Sequence, residues 1–332
     1  MPVAVVTTNG ETTMPTRKEL ETVKRAVYGR GSRLLRRHRR VVPRYRDEIE
    51  AFLSAPRIVE IETVNSCNAV CSFCSVPYMK RKRGVMKDEV YRKIINDLKE
   101  LRPSYVCPYS CGEPLLDKKI LERIGIINQE LPESGVILFT NAVLLDEEKC
   151  RELCELKVNY INISFNAASK ESYEKIMGCD YEVALANVHR LLERNQSARI
   201  RISFIRTHEN RGEERLFRSM WDGYDVETVI WGQHNYVGLF KLSFQQQMKR
   251  FLTSFLVDPR PCHRILETMC ILWDGRVSIC CRDYEGEMIF GDVNTQSLKD
   301  IWCGELPTQI RFANLLGHRD DLEICRRCSV DL

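Results

Sequence analysis

The 332-residue sequence has no run of the roughly 18 consecutive apolar residues that a membrane-spanning helix requires. Its first ten residues, MPVAVVTTNG, lack the basic start of a secretory signal, and their apolar stretch is too short for one. Internal repeats and low-complexity tracts are also missing from the sequence. Because 44% of the residues are apolar and 29% are charged, the composition is typical of a globular protein. We therefore expect a cytoplasmic globular protein without a transmembrane segment.

Positive charge is concentrated near the N-terminus. Residues 17–46 contain twelve Lys or Arg and two Glu, a net charge of about +10, whereas the total formal charge is only +4. Such a segment has the charge needed to bind nucleic acid or an anionic membrane. We favour the interpretation that residues 1–57 form a basic, mainly helical extension whose arginines pair with the acidic remainder of the chain, rather than a nucleic-acid contact.

The fifteen cysteines are many for a cytosolic protein, because thiols stay reduced in that compartment and structural disulfides are rare. Clustered cysteines there indicate a metal site or catalysis. Three lie within CNAVCSFC, residues 67–74, and a second group follows at positions 262, 270, 280, 281, 325 and 328. The spacings of the first group also suit one face of a helix, but the Ser, Asn and Pro of SCNAVCSFCSVP are poor helix formers. We therefore expect metal ligands rather than small core residues.

Apolar segments typical of strands alternate with helical segments through the middle of the chain. The predicted strands are 58–64, 104–109, 135–140, 158–165, 199–205 and 226–231. Six strands separated by helices imply parallel βα units, and hence a barrel or an open α/β sheet. Catalytic side chains of such folds lie where the strands end. Cys67, Glu113, Asn141 and Asn166 follow the first four predicted strands in turn, which predicts a site at that end of the sheet.

A second structural unit is predicted after Pro259 and Pro261. The stretch ILETMCILWDGRVSICC, residues 265–281, predicts a β-hairpin with an Asp-Gly turn, and a short helix near 297–302 and the closing CRRC follow it. We accordingly divide the chain into the basic extension (1–57), a core domain (58–257) and a small C-terminal domain (258–332).

The first cysteine motif resembles the signature of the radical S-adenosylmethionine (SAM) superfamily, Cys-x3-Cys-x2-Cys after a first strand with an aromatic residue, here Phe73, before the last cysteine. The resemblance implies a partial (β/α)6 TIM-like barrel. It also implies that Cys67, Cys71 and Cys74 hold a 4Fe-4S cluster whose fourth iron binds exchangeable SAM. In this family one electron, from a donor such as flavodoxin or ferredoxin, cleaves SAM to a 5′-deoxyadenosyl radical that abstracts hydrogen from the substrate.

Further motifs resemble the SAM-binding segments of this superfamily. CGEPLL (111–116) resembles Gly-Gly-Glu-Pro, with Cys111 in place of the first glycine, and TNA (140–142) resembles Thr-Asn-Gly at the end of the third strand. An ammonium group needs hydrogen-bond acceptors, which suits the glutamate. The residues that the resemblance implies in cofactor binding are Phe73, Gly112, Glu113, Pro114, Thr140, Asn141, Ser164 and Asn166.

The C-terminal region, from Cys262 to Cys328, resembles the twitch domain, a reduced relative of the SPASM domain that holds one auxiliary 4Fe-4S cluster. The resemblance implies that Cys262, Cys280, Cys325 and Cys328 are its ligands, with Cys281 as the alternative to Cys280. Four thiolates suit zinc equally, so a zinc knuckle is the alternative to a cluster.

Within the superfamily the overall pattern, including MKRKRGVMK at 79–87, resembles the 2-deoxy-scyllo-inosamine dehydrogenase-like enzymes of aminoglycoside assembly. This implies oxidation of a sugar-like or aminocyclitol-like alcohol, with the auxiliary cluster as electron acceptor. Those enzymes have an arginine, proposed as a base, in an Asn-Arg-Gly-Gly stretch, and the local match here, NYVG (235–238), has Tyr236. Our candidate catalytic residues are Tyr236 and Cys111.

Three alternatives to oxidation remain open at this point. In an epimerase, the thiol of Cys111 or Cys107 would return a hydrogen atom to the substrate radical, which requires the thiol to be protonated. Modification of a peptide or protein is the second alternative, and a non-enzymatic iron–sulfur or zinc scaffold is the third.

Overall fold

The computed structural model describes residues 52–241, 248, 261–315 and 318–329. The basic segment 17–46, most of the predicted N-terminal extension and the predicted domain boundary at 257/258 lie outside these residues. No helix in the described ranges is both long and apolar enough to cross a membrane.

The described strands form one nine-stranded sheet in the order β6-β5-β4-β3-β2-β1-β7-β8-β9. All six predicted core strands are present, although the first one ends three residues earlier than predicted. The strands are β1 Ile58–Ile61, β2 Tyr105–Cys107, β3 Gly135–Thr140, β4 Tyr160–Ser164, β5 Arg199–Arg206, β6 Val226–Gly232, β7 Thr268–Ile271, β8 Arg276–Ser278 and β9 Ile289–Asp292.

Helices connect the parallel strands β1 to β6, one precedes β7, and others follow β9. Four of them are preceded by a residue, Asp146, Ser169, Asp180 or Ser297, whose side chain accepts a hydrogen bond from a backbone N–H of the first turn, the usual way in which a helix start is stabilised. The described helices are α1 Asp88–Leu101, α2 Ile120–Glu130, α3 Glu147–Glu155, α4 Lys170–Met177, α5 Tyr181–Arg194, α6 Glu214–Ser219, α7 His263–Glu267, α8 Leu298–Trp302, α9 Glu305–Leu315 and α10 Glu323–Arg327.

The core lies between the sheet and the helices that cover it. Strand residues such as Val59, Val136 and Ile202 are fully buried and pack with Ile94 and Leu98 of the amphipathic helix α1 and with the other helices. Strands buried in this way are typical of parallel sheets, because helices cover their outer face. Since all six strands run in the same direction, the loops that follow β1, β2 and β3 meet at one end of the sheet.

The C-terminal region continues the sheet of the core. The predicted hairpin is confirmed as β7 and β8, which pair antiparallel on either side of the turn at Asp274 and Gly275. The sequence did not predict that β7 pairs in parallel with β1, nor that β9 adds a further antiparallel strand. As a result Glu60 of β1 lies between Cys107 of β2 and Cys270 of β7, so residues of both regions share one wall.

A buried ion pair ties the loop after β1 to the C-terminal region. Arg81 forms an ion pair with Glu62, and both side chains are almost completely buried. Arg81 Nε also donates to the carbonyl oxygen of Tyr284 (2.5 Å), and the backbone N–H of Trp273 donates to Glu62 Oε2 (3.1 Å). Because removing one partner of a buried pair is far more costly than separating a surface pair, these contacts hold the two regions in one arrangement.

Candidate active site and cluster-binding sites

The three early cysteines lie on the loop between β1 and α1, and each is half-buried. Backbone N–H groups donate to two of the sulfurs, from Ala69 to Cys67 Sγ (3.3 Å) and from Val76 to Cys74 Sγ (3.4 Å). Hydrogen bonds from N–H groups favour the thiolate form, which is the form that binds metal. The third sulfur, Cys71 Sγ, lies 3.5 Å from Met177 Sδ at the end of α4.

The electrostatics of this loop favour a bound cationic group. Burial is the main cause that raises the pKa of all three thiols, that of Cys67 to about 12, and the neighbouring thiols raise the pKa values of Cys67 and Cys71 further. Thiolates crowded in this way need positive charge, which the irons of a cluster supply. Within the described ranges no three His, Cys, Asp or Glu side chains converge closely enough to hold a single metal ion. Three thiols on one loop are the type of donor that binds an iron–sulfur cluster.

The loop that follows β2 packs directly on the cysteine loop at Gly112. This residue has φ of +105°, and a Cβ atom there would lie 2.6 Å from the carbonyl oxygen of Ser66 and 2.9 Å from that of Val64. Only glycine permits both the conformation and the close approach. The contact is completed by the backbone N–H of Glu113, which donates to the same Ser66 oxygen (2.8 Å).

Glu113 connects the ends of β2 and β3. Its carboxylate is buried and accepts hydrogen bonds from Thr140 Oγ1 (2.7 Å), from the backbone N–H of Asn141 (2.8 Å) and from that of Leu115 (3.2 Å), the last of which caps the short 3-10 turn that begins at Pro114. Burial raises the pKa of Glu113 to about 7, although these hydrogen bonds lower it. Since none of the described Lys or Arg side chains pairs with it, this fixed carboxylate suits an incoming ammonium group.

The end of β3 also contacts the cysteine loop. Asn141 Nδ2 donates to Asn68 Oδ1 (2.9 Å) and lies 3.8 Å from Cys67 Sγ. Ala142, at the position where the family motif has glycine, has φ of +61°, which explains why glycine is favoured there. The structure therefore brings Gly112, Glu113, Thr140 and Asn141 together beside Cys67.

The other residues predicted to contact the cofactor, Asn166, Ser164 and Phe73, differ in what their side chains contact. Asn166 is buried with φ of +63°; its Oδ1 accepts from the backbone N–H of Ile205 (2.9 Å), and its Nδ2 lies 3.2 Å from Met177 Sδ. Its side chain thus already links β5 to α4, and a contact with SAM stays a prediction. Ser164 is half-buried at the end of β4, and Phe73 packs against the core.

The four predicted late ligands line a single cavity in the C-terminal region. Cys262 precedes α7, Cys280 follows β8, and Cys325 and Cys328 lie in and just after α10. The other lining residues are apolar or cationic: Val237, Ile265, Ile279, Ile324, Arg264, Arg282 and Arg319. Cys281 is engaged elsewhere, because its sulfur accepts a hydrogen bond from Arg264 Nη1 (2.9 Å). This arrangement favours Cys280 over Cys281 as the ligand.

Five side chains, Tyr109, Cys111, His234, Tyr236 and Arg282, are neighbours of one another and of cysteines from both groups, and we call this group of side chains the chamber. Cys111 is buried against Cys67, Cys74 and Tyr284, and its sulfur lies 3.9 Å from the carbonyl oxygen of Cys281. Burial raises the pKa of its thiol well above the usual value, so the thiol is protonated at neutral pH. The two candidate catalytic residues therefore lie in one place, next to both cysteine groups.

The ring of Tyr236 faces the Arg282 guanidinium, whose Cζ lies 5.2 Å from the ring centroid. Burial raises the pKa of Tyr236, which keeps its phenol protonated. Burial and the nearby charges of Arg282 and Arg264 lower the pKa of His234 to about 4, so its imidazole is neutral at neutral pH. The chamber thus combines neutral hydrogen-bonding groups with one guanidinium.

Sequence reasoning missed Arg282, Arg264, His234 and Tyr109 as chamber or cavity residues. Arg282 had a signal, since it directly follows the paired cysteines 280 and 281. Arg264 and His234 are brought into place by the segments around β7 and after β6, which pair or pack with the core only in the folded chain, whereas Tyr109 directly follows β2.

Two family models match the sequence of this chain. The profile of the Radical SAM superfamily matches residues 61–220, and that of the iron–sulfur cluster-binding domain SPASM matches residues 262–329. Among curated proteins, the S-adenosyl-L-methionine-dependent 2-deoxy-scyllo-inosamine dehydrogenase of Niallia circulans is 23% identical over 281 residues, which cover 82% of this chain and 92% of that enzyme.

Solved structures with a similar fold include the crystal structure of BtrN in complex with AdoMet and 2-DOIA (TM-score 0.59, 19% identity, 82% of this chain and 92% of BtrN covered). The crystal structure of Streptococcus suis SuiB bound to precursor peptide SuiA is also similar (TM-score 0.65, 15% identity, 89% and 78% covered). At such identities the likeness is one of fold.

The chain belongs to the radical SAM superfamily, with a SPASM-type iron–sulfur domain in its C-terminal region. It is thus a radical SAM enzyme that resembles a SAM-dependent dehydrogenase over most of its length. Membership of these families implies 4Fe-4S clusters together with SAM, and both cysteine groups of this structure have donor sets that fit them.

Replacing Gly112 by alanine should expel the cluster from the first site, because the new methyl group collides with the backbone of the cysteine loop. We expect anaerobically reconstituted Gly112→Ala to contain clearly less iron and sulfide than the wild type. Gly212→Ala is the matched control, since Gly212 has φ of +89° but nothing within 4 Å of an added Cβ. Both variants carry the same kind of backbone strain, about 1–2 kcal/mol. Equal iron contents in the two variants would contradict the importance of this contact.

Proposed function

We propose that this enzyme abstracts hydrogen from a polar small molecule, sugar-like or aminocyclitol-like, and oxidises it, with an auxiliary 4Fe-4S cluster as electron acceptor. The observation that carries the proposal is the chamber between the two cysteine groups, because a substrate there lies next to both. The similarity to a SAM-dependent dehydrogenase over 82% of the chain supports the same reaction type.

In this proposal Cys67, Cys71 and Cys74 hold a 4Fe-4S cluster, and Glu113 receives the ammonium group of SAM. Once bound and reduced, this cofactor supplies the 5′-deoxyadenosyl radical that removes a hydrogen atom from the substrate. The protein orients the carboxylate of Glu113 through Thr140 and the backbone of Asn141, so that little reorganisation is needed on binding.

Chamber residues orient the substrate and handle its proton. The phenol of Tyr236, kept protonated by burial, donates a hydrogen bond to a substrate oxygen rather than acting as a base. The imidazole of His234 is neutral and can accept a hydrogen bond from the substrate hydroxyl, but its pKa of about 4 makes it a weak base that can pass on the proton lost during oxidation without holding it. Tyr109, stacked on Phe139 with ring centroids 5.0 Å apart, closes the chamber toward β3 and limits access of water.

Cys262, Cys280, Cys325 and Cys328 hold the auxiliary cluster in this proposal. With four protein ligands it has no free iron position, and therefore its role is electron transfer. The chamber adjoins the cavity that these cysteines line, because Arg282 lines the cavity and also contacts Tyr236 of the chamber.

Epimerisation is the second candidate, and Cys111 is the observation that favours it. Its buried, protonated thiol at the chamber is the type of group that returns a hydrogen atom to a carbon radical. Modification of a peptide is the third candidate, supported by the fold shared with SuiB bound to its precursor peptide.

Glu113→Gln should weaken SAM binding by about tenfold to a hundredfold, the value of a hydrogen bond to a charged group.

Because the pKa of Glu113 is about 7, SAM binding by the wild type should also depend on pH. Below this pH the SAM-free carboxyl is protonated and must lose its proton to receive the ammonium, so wild-type affinity should fall about tenfold from pH 8 to pH 6. Anaerobic equilibrium binding measures both, and a parallel fall in Glu113→Gln would show that another group titrates.

Cys280→Ala should lose about half of the iron, because one of two four-iron clusters is lost. Cys281→Ala is the matched neighbour and should retain wild-type iron, since its sulfur bonds to Arg264 rather than lining the cavity. Iron and sulfide content, with the EPR spectrum of the reduced protein, distinguishes the two variants. The reverse pattern would assign the ligand to Cys281.

The proposed reaction is tested by incubating reconstituted enzyme anaerobically with SAM, dithionite and candidate polyols or aminocyclitols in deuterium oxide. We expect 5′-deoxyadenosine to rise with substrate and the product to carry a new carbonyl group. A product that instead gains carbon-bound deuterium at an inverted centre indicates epimerisation, and Cys111→Ala should then abolish it. Formation of no 5′-deoxyadenosine, with or without substrate, would refute both readings.

A further inference from the structure

Arg282 is the one chamber residue with a permanent charge, and that charge has no counter-ion among the residues that the structure describes. Its guanidinium lies over the ring of Tyr236, and its Nε is buried without a hydrogen-bond partner. It forms no ion pair within the described ranges, unlike the neighbouring Arg264, which pairs with Glu60 (3.2 Å). Leaving a buried cation unpaired is costly, and Arg282 also lines the cavity of the four late cysteines, so its partner is either the cluster held there or a bound anion.

The acidic groups around the chamber contact residues other than Arg282. Glu60 pairs with Arg264 through Oε1, whereas its Oε2 is buried without a hydrogen-bond partner, and Glu62 pairs with Arg81. Asp283, next in sequence, accepts hydrogen bonds from Ser278 Oγ (2.7 Å) and from the backbone N–H groups of Glu287 and Met288, which fixes the turn before β9. Glu113 is bonded to Thr140 and Asn141 on the SAM side of the chamber. The protein therefore provides no carboxylate for Arg282 from its described residues.

The orientation of Arg282 suits recognition of an anion. Its Cζ lies 5.2 Å from the centroid of the Tyr236 ring, and its Nε is buried without a hydrogen-bond partner. A planar guanidinium held in this way binds a carboxylate or phosphate through two parallel hydrogen bonds. Arg282 lies near both cysteine groups, since it lowers the pKa of Cys74 in the first group and lines the cavity of the second.

We propose that Arg282 is a substrate-binding residue that selects a molecule bearing a carboxylate or phosphate group, so that the compound transformed here is an acidic sugar or polyol rather than a cationic aminocyclitol. This inference rests on the proposed function, in which the substrate occupies the chamber. The guanidinium of Arg282 would repel an ammonium group of the substrate, which excludes a free amino group next to Arg282.

The test is anaerobic calorimetry of the SAM-loaded holoenzyme with four pyranoses of matched size: glucose, glucosamine, glucuronate and glucose 6-phosphate. We expect at least one of the two anions to bind about tenfold or more tightly than glucose, and glucosamine to bind more weakly than glucose, as a charge-assisted bidentate contact predicts. Arg282→Gln should abolish this preference, measured as the ratio of anion to glucose affinity in the same variant, and Arg282→Lys should retain part of it. The control is Arg276→Gln, whose guanidinium pairs with Asp274 at the hairpin turn and should leave the preference unchanged.

Two results would overturn the proposal: equal binding of the anionic and neutral sugars by the wild type, or an unchanged preference in Arg282→Gln. A competing explanation is that Arg282 balances the charge of the auxiliary cluster. It is tested by measuring the midpoint potential of that cluster by redox titration with EPR. If Arg282→Gln lowers that potential while the anion preference persists, the guanidinium balances the cluster and not the substrate. Formation of 5′-deoxyadenosine from SAM alone is measured in parallel, so that failure of the radical chemistry is distinguished from failure of anion recognition.

Discussion

The close backbone contact between Gly112 and residues 64–66 is the constraint on which the rest of the site depends. It brings the loop after β2 against the cysteine loop, and the hydrogen bond from the Glu113 N–H to Ser66 locks the two together. The Glu113 carboxylate then joins the end of β3 through Thr140 and Asn141, and Asn141 reaches back to Asn68. Three strand ends are thereby fixed around one set of thiols. A side chain at position 112 would separate them all at once.

The distribution of buried charge explains how the two cysteine regions are held in register. Glu62 with Arg81, and Glu60 with Arg264, each connect the strand β1 region to a residue that belongs to, or contacts, the C-terminal region. Such pairs contribute little net stability but are costly to break, so they specify one arrangement. Because β7 also pairs with β1, strand β1 joins the two cysteine regions within one sheet.

Departures from the family motifs become interpretable once these positions are known. Cys111 replaces a glycine, and its thiol lies at the chamber, where a glycine would leave space. The guanidinium of Arg282, from a different part of the chain, lies over the ring of Tyr236, the residue that the sequence motif matches to an arginine. This is a local difference in the site and not in the fold.

Local pattern was sufficient to predict the six core strands, the hairpin at Asp274 and Gly275, and the two cysteine groups. Strands that are buried on both faces must be apolar throughout, and a tight turn needs particular residues, so both leave a mark on the sequence itself. The pairing of β7 with β1, the strand β9, the different engagement of Cys280 and Cys281, and the partnerless charge of Arg282 were decided by tertiary structure alone. Each depends on which segments distant in sequence come into contact, and neither spacing nor composition encodes that contact. Residue types therefore determined what chemistry the chain is equipped for, whereas packing decided which side chains face each other across the chamber.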